Sequence, residues 1–117
     1  MAQTIKINDK ISYIKAGKNP LSADVFIVEG DEYVYLYDVG ANEESLEHIR
    51  QMEKPVKIIL SHFHPDHTKN VSDIFANIIY GGKATKKYFP DIEVVTEKIS
   101  ISDGLKLDII PLPTSHA

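Results

Sequence analysis

Apolar residues alternate with polar ones in the first stretch of the chain. Ile5, Ile7, Ile11 and Tyr13 recur across residues 4–15 around Asn8-Asp9, a pattern that predicts a hairpin with a short turn. Residues 15–22, with Gly17, Asn19 and Pro20, read as a loop. Residues 24–29 and 32–38 then predict two strands joined across Gly30-Asp31. The second places Tyr33, Tyr35 and Tyr37 on one face and Val34, Leu36 and Asp38 on the other. Large side chains on both faces indicate a strand sandwiched between layers, with the tyrosines as packing.

The period changes after Gly40. Asn42 is placed to cap a helix whose first turn holds Glu43 and Glu44, whose apolar stripe is Leu46, Ile49 and Met52, and which ends before Pro55. His48 falls off that stripe and reads as exposed. Residues 56–60 are a buried strand, and a strand-helix-strand order predicts parallel neighbours. Val71, Ile74 and Phe75 have helical spacing, Ile78 to Tyr80 form a short strand closed by a Gly81-Gly82 turn, and residues 83–89 suggest one or two helical turns before Pro90. Residues 92–101 alternate again. Asp103-Gly104 predicts a hairpin joining residues 99–101 to 105–107, with residues 107–112 continuing as a strand. The pattern as a whole predicts an α/β fold: a mixed β-sheet with helices on one face.

Composition narrows the chemistry. The 117 residues are 43% hydrophobic, enough for one modest core. A net charge of −4, from 13 basic and 17 acidic residues without a long run of one sign, gives no general attraction for nucleic acid or anionic membrane. Lys83, Lys86 and Lys87 read as a solvated helix face. The absence of cysteine excludes disulfides, thiolate-bound zinc and a thiol nucleophile. Neither a secretory signal nor a bilayer-length apolar run is found, so a cytoplasmic location is expected.

The chemical signal is concentrated in His62, Phe63, His64, Pro65, Asp66 and His67. Three of the five histidines and a carboxylate follow directly on the buried strand 56–60, a density that an ordinary loop has no folding reason to collect. Residues two apart on an extended chain share a side, so His62, His64 and Asp66 converge as the strand ends; Pro65 stops the strand and turns His67 toward a neighbouring position. Imidazole with carboxylate suits Zn²⁺, with Fe²⁺ or Mn²⁺ as weaker fits. Asp38 closes a buried strand and needs a partner, either a histidine of this loop or backbone amides; a supporting role behind the metal ligands is expected of it.

His-x-His-x-Asp-His after a buried strand resembles the signature of the metallo-β-lactamase superfamily. Tyr35-Leu36-Tyr37-Asp38-Val39-Gly40 resembles that family's strand ending in Asp-x-Gly, and Pro113-Thr114-Ser115-His116 the segment carrying its next metal-ligand histidine. The resemblance implies an αββα sandwich, of which residues 1–117 would form the N-terminal portion. By the same resemblance His62, His64 and His116 hold a first metal, and Asp66 and His67 contribute to a second. The family's bridging aspartate and last histidine would lie beyond Ala117. Lys69 stands where many relatives carry glycine.

The implied reaction is metal-assisted hydrolysis of a small-molecule substrate. Zinc lowers the pKa of its water and supplies hydroxide to an ester, thioester, amide or phosphodiester, and Asp66 orients that nucleophile and shuttles its proton. One sheet face would have met the missing half. Apolar surface in water costs about 25 cal/mol per Å², so association is expected, either with a second copy or with a C-terminal half. The alternatives are an inactive metal-binding half-domain that acts by association, and a redox variant with a di-iron site. Oxygen-reducing relatives usually place Glu where His64 stands, which disfavours the redox variant.

Overall fold

The computed structural model describes residues 4–15, 17–18, 21–22, 24–61 and 65–111. Among these, β1 (Thr4–Lys6) and β2 (Ile11–Ile14) form the expected first hairpin. The Asn8 side chain accepts from the N–H groups of Lys10 and Ile11 and closes the turn. The segment read as a loop contains two short paired strands, β3 (Gly17–Lys18) and β4 (Leu21–Ser22). Two-residue strands leave no alternation to read.

β5 (Val25–Glu29) and β6 (Val34–Tyr37) continue the sheet antiparallel. Helix α1 (Glu43–Arg50) is capped by Asn42, whose side chain accepts from Ser45 N–H at 2.8 Å, and it buries Leu46 and Ile49. The crossover returns the chain as β7 (Val56–Ile59), parallel to β6. Pro65 starts the single turn α2 (Pro65–Thr68), where a missing N–H costs nothing. The stretch expected to be helical through Phe75 is instead a 3₁₀ turn over Lys69–Asp73. Val71 is buried and Ile74 packs against the same cluster, but Phe75 is 91% exposed, so the apparent helical period does not extend to it.

β8 (Ile78–Gly81) and β9 (Glu93–Val94) add two parallel strands, with α3 (Lys83–Lys86) between them. Gly81 ends the strand rather than forming a turn. A Cβ there would collide with the Ile92 and Thr85 side chains. Among the described residues the main sheet runs β1-β2-β5-β6-β7-β8-β9.

The central strands of the sheet carry buried side chains on both faces. On one, Val34, Leu36, Val56 and Ile58 pack with Ile49 of α1 and Val71 of the 3₁₀ turn. On the other lies a hairpin of β10 (Ile99–Ser102) and β11 (Lys106–Ile109). Ile109 packs there with Tyr35, Ile59, Tyr80 and Val95, and Ile99, Ile101 and Leu107 lie against the same cluster. The face expected to be bare is therefore covered in part by this hairpin, with Phe26 and Tyr37 left exposed beside it. Strand β11 ends at Ile109, short of the predicted extent, and Ile110 is exposed.

Asp103 fixes that layer to the sheet. Its carboxylate accepts from the N–H groups of Glu32 and Tyr33 at 2.8 and 2.9 Å and from the Tyr35 hydroxyl at 3.1 Å, while its carbonyl accepts from Asp31 N–H. Burial works against this charge, but those donors hold the Asp103 carboxyl below the usual aspartate value. The Tyr35 hydroxyl, desolvated and bonded to Asp103, is pushed up to about 12. Gly30 is required beside it, since a Cβ would run into the Asp103 carboxylate.

Candidate metal centre

The candidate site is assembled where β6 and β7 end side by side. Parallel pairing carries both strands to the same edge, and Asp38 N–H continues the ladder by donating to Ile59 carbonyl at 2.8 Å. Asp38 then takes φ +63° and Gly40 φ +70°. Left-handed backbone is costly for most residues and tolerated by Asp and Gly, which accounts for Asp-x-Gly at this bend.

The turn aims a buried carboxylate, 2% exposed, at the segment after β7. Asp38 Oδ1 accepts from Ser61 N–H at 2.8 Å, and Oδ2 accepts from the Ser61 hydroxyl at 2.7 Å. Oδ2 also lies 2.7 Å from Nδ1 of His67. An imidazole that donates Nδ1–H to a carboxylate carries its lone pair on Nε2. That is the tautomer and support found behind metal-ligating histidines.

The backbone fastens the same groups. His67 carbonyl accepts from Val39 N–H at 2.9 Å and from Gly40 N–H at 3.2 Å. Asn70, almost fully buried, donates its amide to the carbonyls of Val39 and Asn42, each at 3.0 Å, and its N–H to Gly40 carbonyl. The Asp-x-Gly bend and the turn that carries His67 are thus held as one unit.

Of the sequence-predicted site residues, Asp38 and His67 are brought together. The side chain of Asp66 and residues His62, His64 and His116 lie outside the described residues. Among the described residues no three metal-donating side chains converge. His48 is half-buried rather than exposed and lines a separate cleft of about 340 Å³ with Glu29, Glu53 and Lys54. The donor chemistry present fits a divalent metal: a buried carboxylate clamps an imidazole, and two further histidines and an aspartate precede that imidazole within five residues of sequence.

Sequence reasoning missed Ser61 and Asn70. A serine directly between a buried strand and a histidine cluster was a usable signal, because such a position leaves its hydroxyl in need of a partner. Asn70 carried none, since its burial depends on the 3₁₀ turn that replaced the expected helix.

A family model described as the metallo-beta-lactamase superfamily matches residues 19–113. Among solved structures, the chain is similar to a metallo-beta-lactamase from Pontibacter korlensis, at 19% identity and TM-score 0.69, covering 92% of this chain and 59% of that one. It is similar to MEM-A1, a subclass B3 metallo-beta-lactamase from a soil metagenome library, at 14% identity and TM-score 0.67, covering 87% of this chain and 49% of that one. A variant of a flavo-di-iron protein from Thermotoga maritima aligns at 14% identity and TM-score 0.68 over 94% of this chain and 36% of that one. The chain thus spans under two thirds of the length of each of these structures. A search of curated proteins gave no match. With the mixed sheet, the supported histidine at its edge and a family match over most of its length, the chain belongs to the metallo-beta-lactamase superfamily, mostly hydrolases with some di-iron proteins, whose members bind zinc or iron.

Proposed function

We propose that this chain is the metal-carrying portion of a zinc-dependent hydrolase. The observation that supports the reading most is the 2.7 Å contact between His67 Nδ1 and buried Asp38 at the edge where β6 and β7 end. In this reading His62, His64 and His116 hold one metal, and Asp66 and His67 contribute to a second. A bound divalent ion supplies a Lewis acid and an acidified water for an ester, thioester, amide or phosphodiester substrate. Asp38 and Ser61 hold the His67 ring in one tautomer. Asp66 orients the nucleophile and accepts its proton.

A second reading is a metal-binding portion without turnover of its own that acts by association. Association belongs to both readings, with a second copy or a C-terminal half covering the remaining apolar surface. In support, Phe26 and Tyr37 are exposed neighbours on the sheet face beside the β10–β11 hairpin.

Assay of a generic carboxylic ester and a generic phosphodiester, with and without chelator, separates the readings. Turnover of either one that chelator abolishes and zinc restores supports the hydrolase. Stoichiometric zinc binding with no turnover of either supports the second reading, and turnover insensitive to chelator contradicts both.

A further inference from the structure

We propose that the Tyr37 ring is the seat of the segment that follows β11, residues 112–117, and so a positioning residue for His116. The proposal rests on the reading of His116 as a metal ligand, and goes beyond it by naming the surface that brings that residue to the metal edge.

The direction of β11 follows from its two ends. The turn before it is pinned to the start of β6, where the Asp103 carboxylate accepts from Glu32 and Tyr33 N–H. Its last residue, Ile109, packs with Tyr35, Ile59 and Tyr80, and Ile59 is the last residue of β7. Strand β11 therefore climbs the sheet face and leaves it at the edge where the parallel strands β6 and β7 end. That is the edge at which Asp38, Ser61 and His67 meet.

An uncovered aromatic ring stands at this exit. Tyr37, the last residue of β6, lies two positions beyond Tyr35 and on the same face, so it continues the cluster beneath β11. Yet Tyr37 is 45% exposed, whereas Tyr35 is 1% exposed. The chain leaving β11 carries the residues to cover it: half-buried Pro111, then Leu112 and Pro113. Proline rings dock on aromatic surfaces with little conformational entropy left to lose. The two prolines also keep the segment extended, because each fixes its own φ and steers the residue before it away from the helical region. From Ile109 to His116 is seven residues, a reach of up to about 22 Å at about 3.1 Å per residue, against about 4.8 Å between neighbouring strands. That reach is ample to pass over Tyr37 and deliver His116 to the edge that holds His67. Phe26 and Tyr13 lie one and two strands farther out and remain for the association described above.

The test uses the full chain, metal-free for the seat and zinc-loaded for its consequence. In the metal-free protein, nuclear Overhauser contacts are expected between the Tyr37 ring and the side-chain protons of Leu112 and Pro113. Tyr37→Ala is expected to move the Leu112 methyl resonances to their random-coil positions and to weaken zinc about two- to tenfold, read by competition with a chromogenic chelator. Tyr37→Phe, which keeps the ring, is expected to retain both, and Leu112→Ser to weaken zinc as Tyr37→Ala does. In a His116→Ala background, Tyr37→Ala is expected to have no further effect on zinc. Absence of the ring contacts leaves Tyr37 to another occupant and overturns the proposal, as does a zinc loss in Tyr37→Ala that persists undiminished in the His116→Ala background. A Tyr37→Ala variant that turns a dimer into a monomer by light scattering, with the Leu112 resonances unmoved, overturns it in favour of a second copy. If the unsubstituted protein takes up no zinc, the reading of His116 fails by itself, and the ring contacts still decide the seat. Should Tyr37→Ala not fold, Leu112→Ser carries the same decision.

Discussion

Asp38, at the end of a strand of the main sheet, and Asp103, in the hairpin packed on it, are two buried carboxylates, 2% and 8% exposed, and they are satisfied in much the same way. Each accepts backbone N–H and a hydroxyl: Ser61 for the first, Glu32, Tyr33 and Tyr35 for the second. They differ in two respects. Asp38 also meets an imidazole and sits on left-handed backbone at the edge where parallel strands β6 and β7 end, whereas Asp103 meets only neutral donors and ties a hairpin turn to the start of β6. Burial and saturation alone mark a structural carboxylate. A ring nitrogen at the strand-end edge is what marks a candidate site.

The sharpest way to break the comparison is to remove each carboxylate in turn. Asp38→Ala is expected to weaken zinc binding by about 10- to 100-fold and to cost roughly 1–3 kcal/mol of stability, because the Ser61 N–H, the Ser61 hydroxyl and the His67 ring lose the acceptor they share. Equilibrium dialysis and denaturant unfolding measure the two effects. Asp103→Ala is expected to leave zinc affinity unchanged and to lower the unfolding midpoint, since two N–H groups and the Tyr35 hydroxyl lose their acceptor. Equal loss of zinc in both variants would erase the distinction.

The glycines beside the two sites sharpen it further. Gly30→Ala forces a Cβ into the Asp103 carboxylate and is expected to cost about 1–3 kcal/mol. Gly40→Ala places a side chain at φ +70° and is expected to cost about 1 kcal/mol or more, with zinc affinity falling as the Asp-x-Gly bend shifts. Chemical unfolding with and without zinc reads both.

A pH series gives a smaller effect. The Asp103 carboxyl is held below its ordinary value, against the cost of burial, so its contribution to stability is fully present above the unfolded pKa of about 3.9. That contribution is lost as pH falls through the lower folded value. Asp103→Asn is therefore expected to flatten the acid limb of the stability curve. Tyr35 works in the opposite direction: its contribution is present below the ordinary phenol pKa of about 10 and is lost as pH rises through about 12. Least of all, Ser100→Ala removes only an exposed hydrogen bond to Asp108 and is expected to stay within about 0.5 kcal/mol.

Much of this was legible in the chain. Alternation, Asn42 and Pro55 located β1, β2, β5, β6, α1 and β7, and the strand-helix-strand order predicted the parallel pair that brings Asp38 to Ser61 and His67. The partner of Asp38 was inferable because a carboxylate ending a buried strand cannot remain alone. Asp103 was read only as turn chemistry. Its role depends on the hairpin folding back over Tyr35, a long-range contact that local pattern cannot express. The same limit applies to the 3₁₀ turn at residues 69–73, where tertiary packing of Val71 and Asn70 overrode a helical spacing that ended on exposed Phe75.

Metal content of the purified full chain after exposure to excess zinc, measured alongside that of His67→Ala and Asp38→Ala, tests the central claim most directly. The account predicts at least one tightly held zinc per chain in the unsubstituted protein and a clear fall in both variants. Protein that emerges from gel filtration without zinc, or variants that retain it undiminished, would contradict the account.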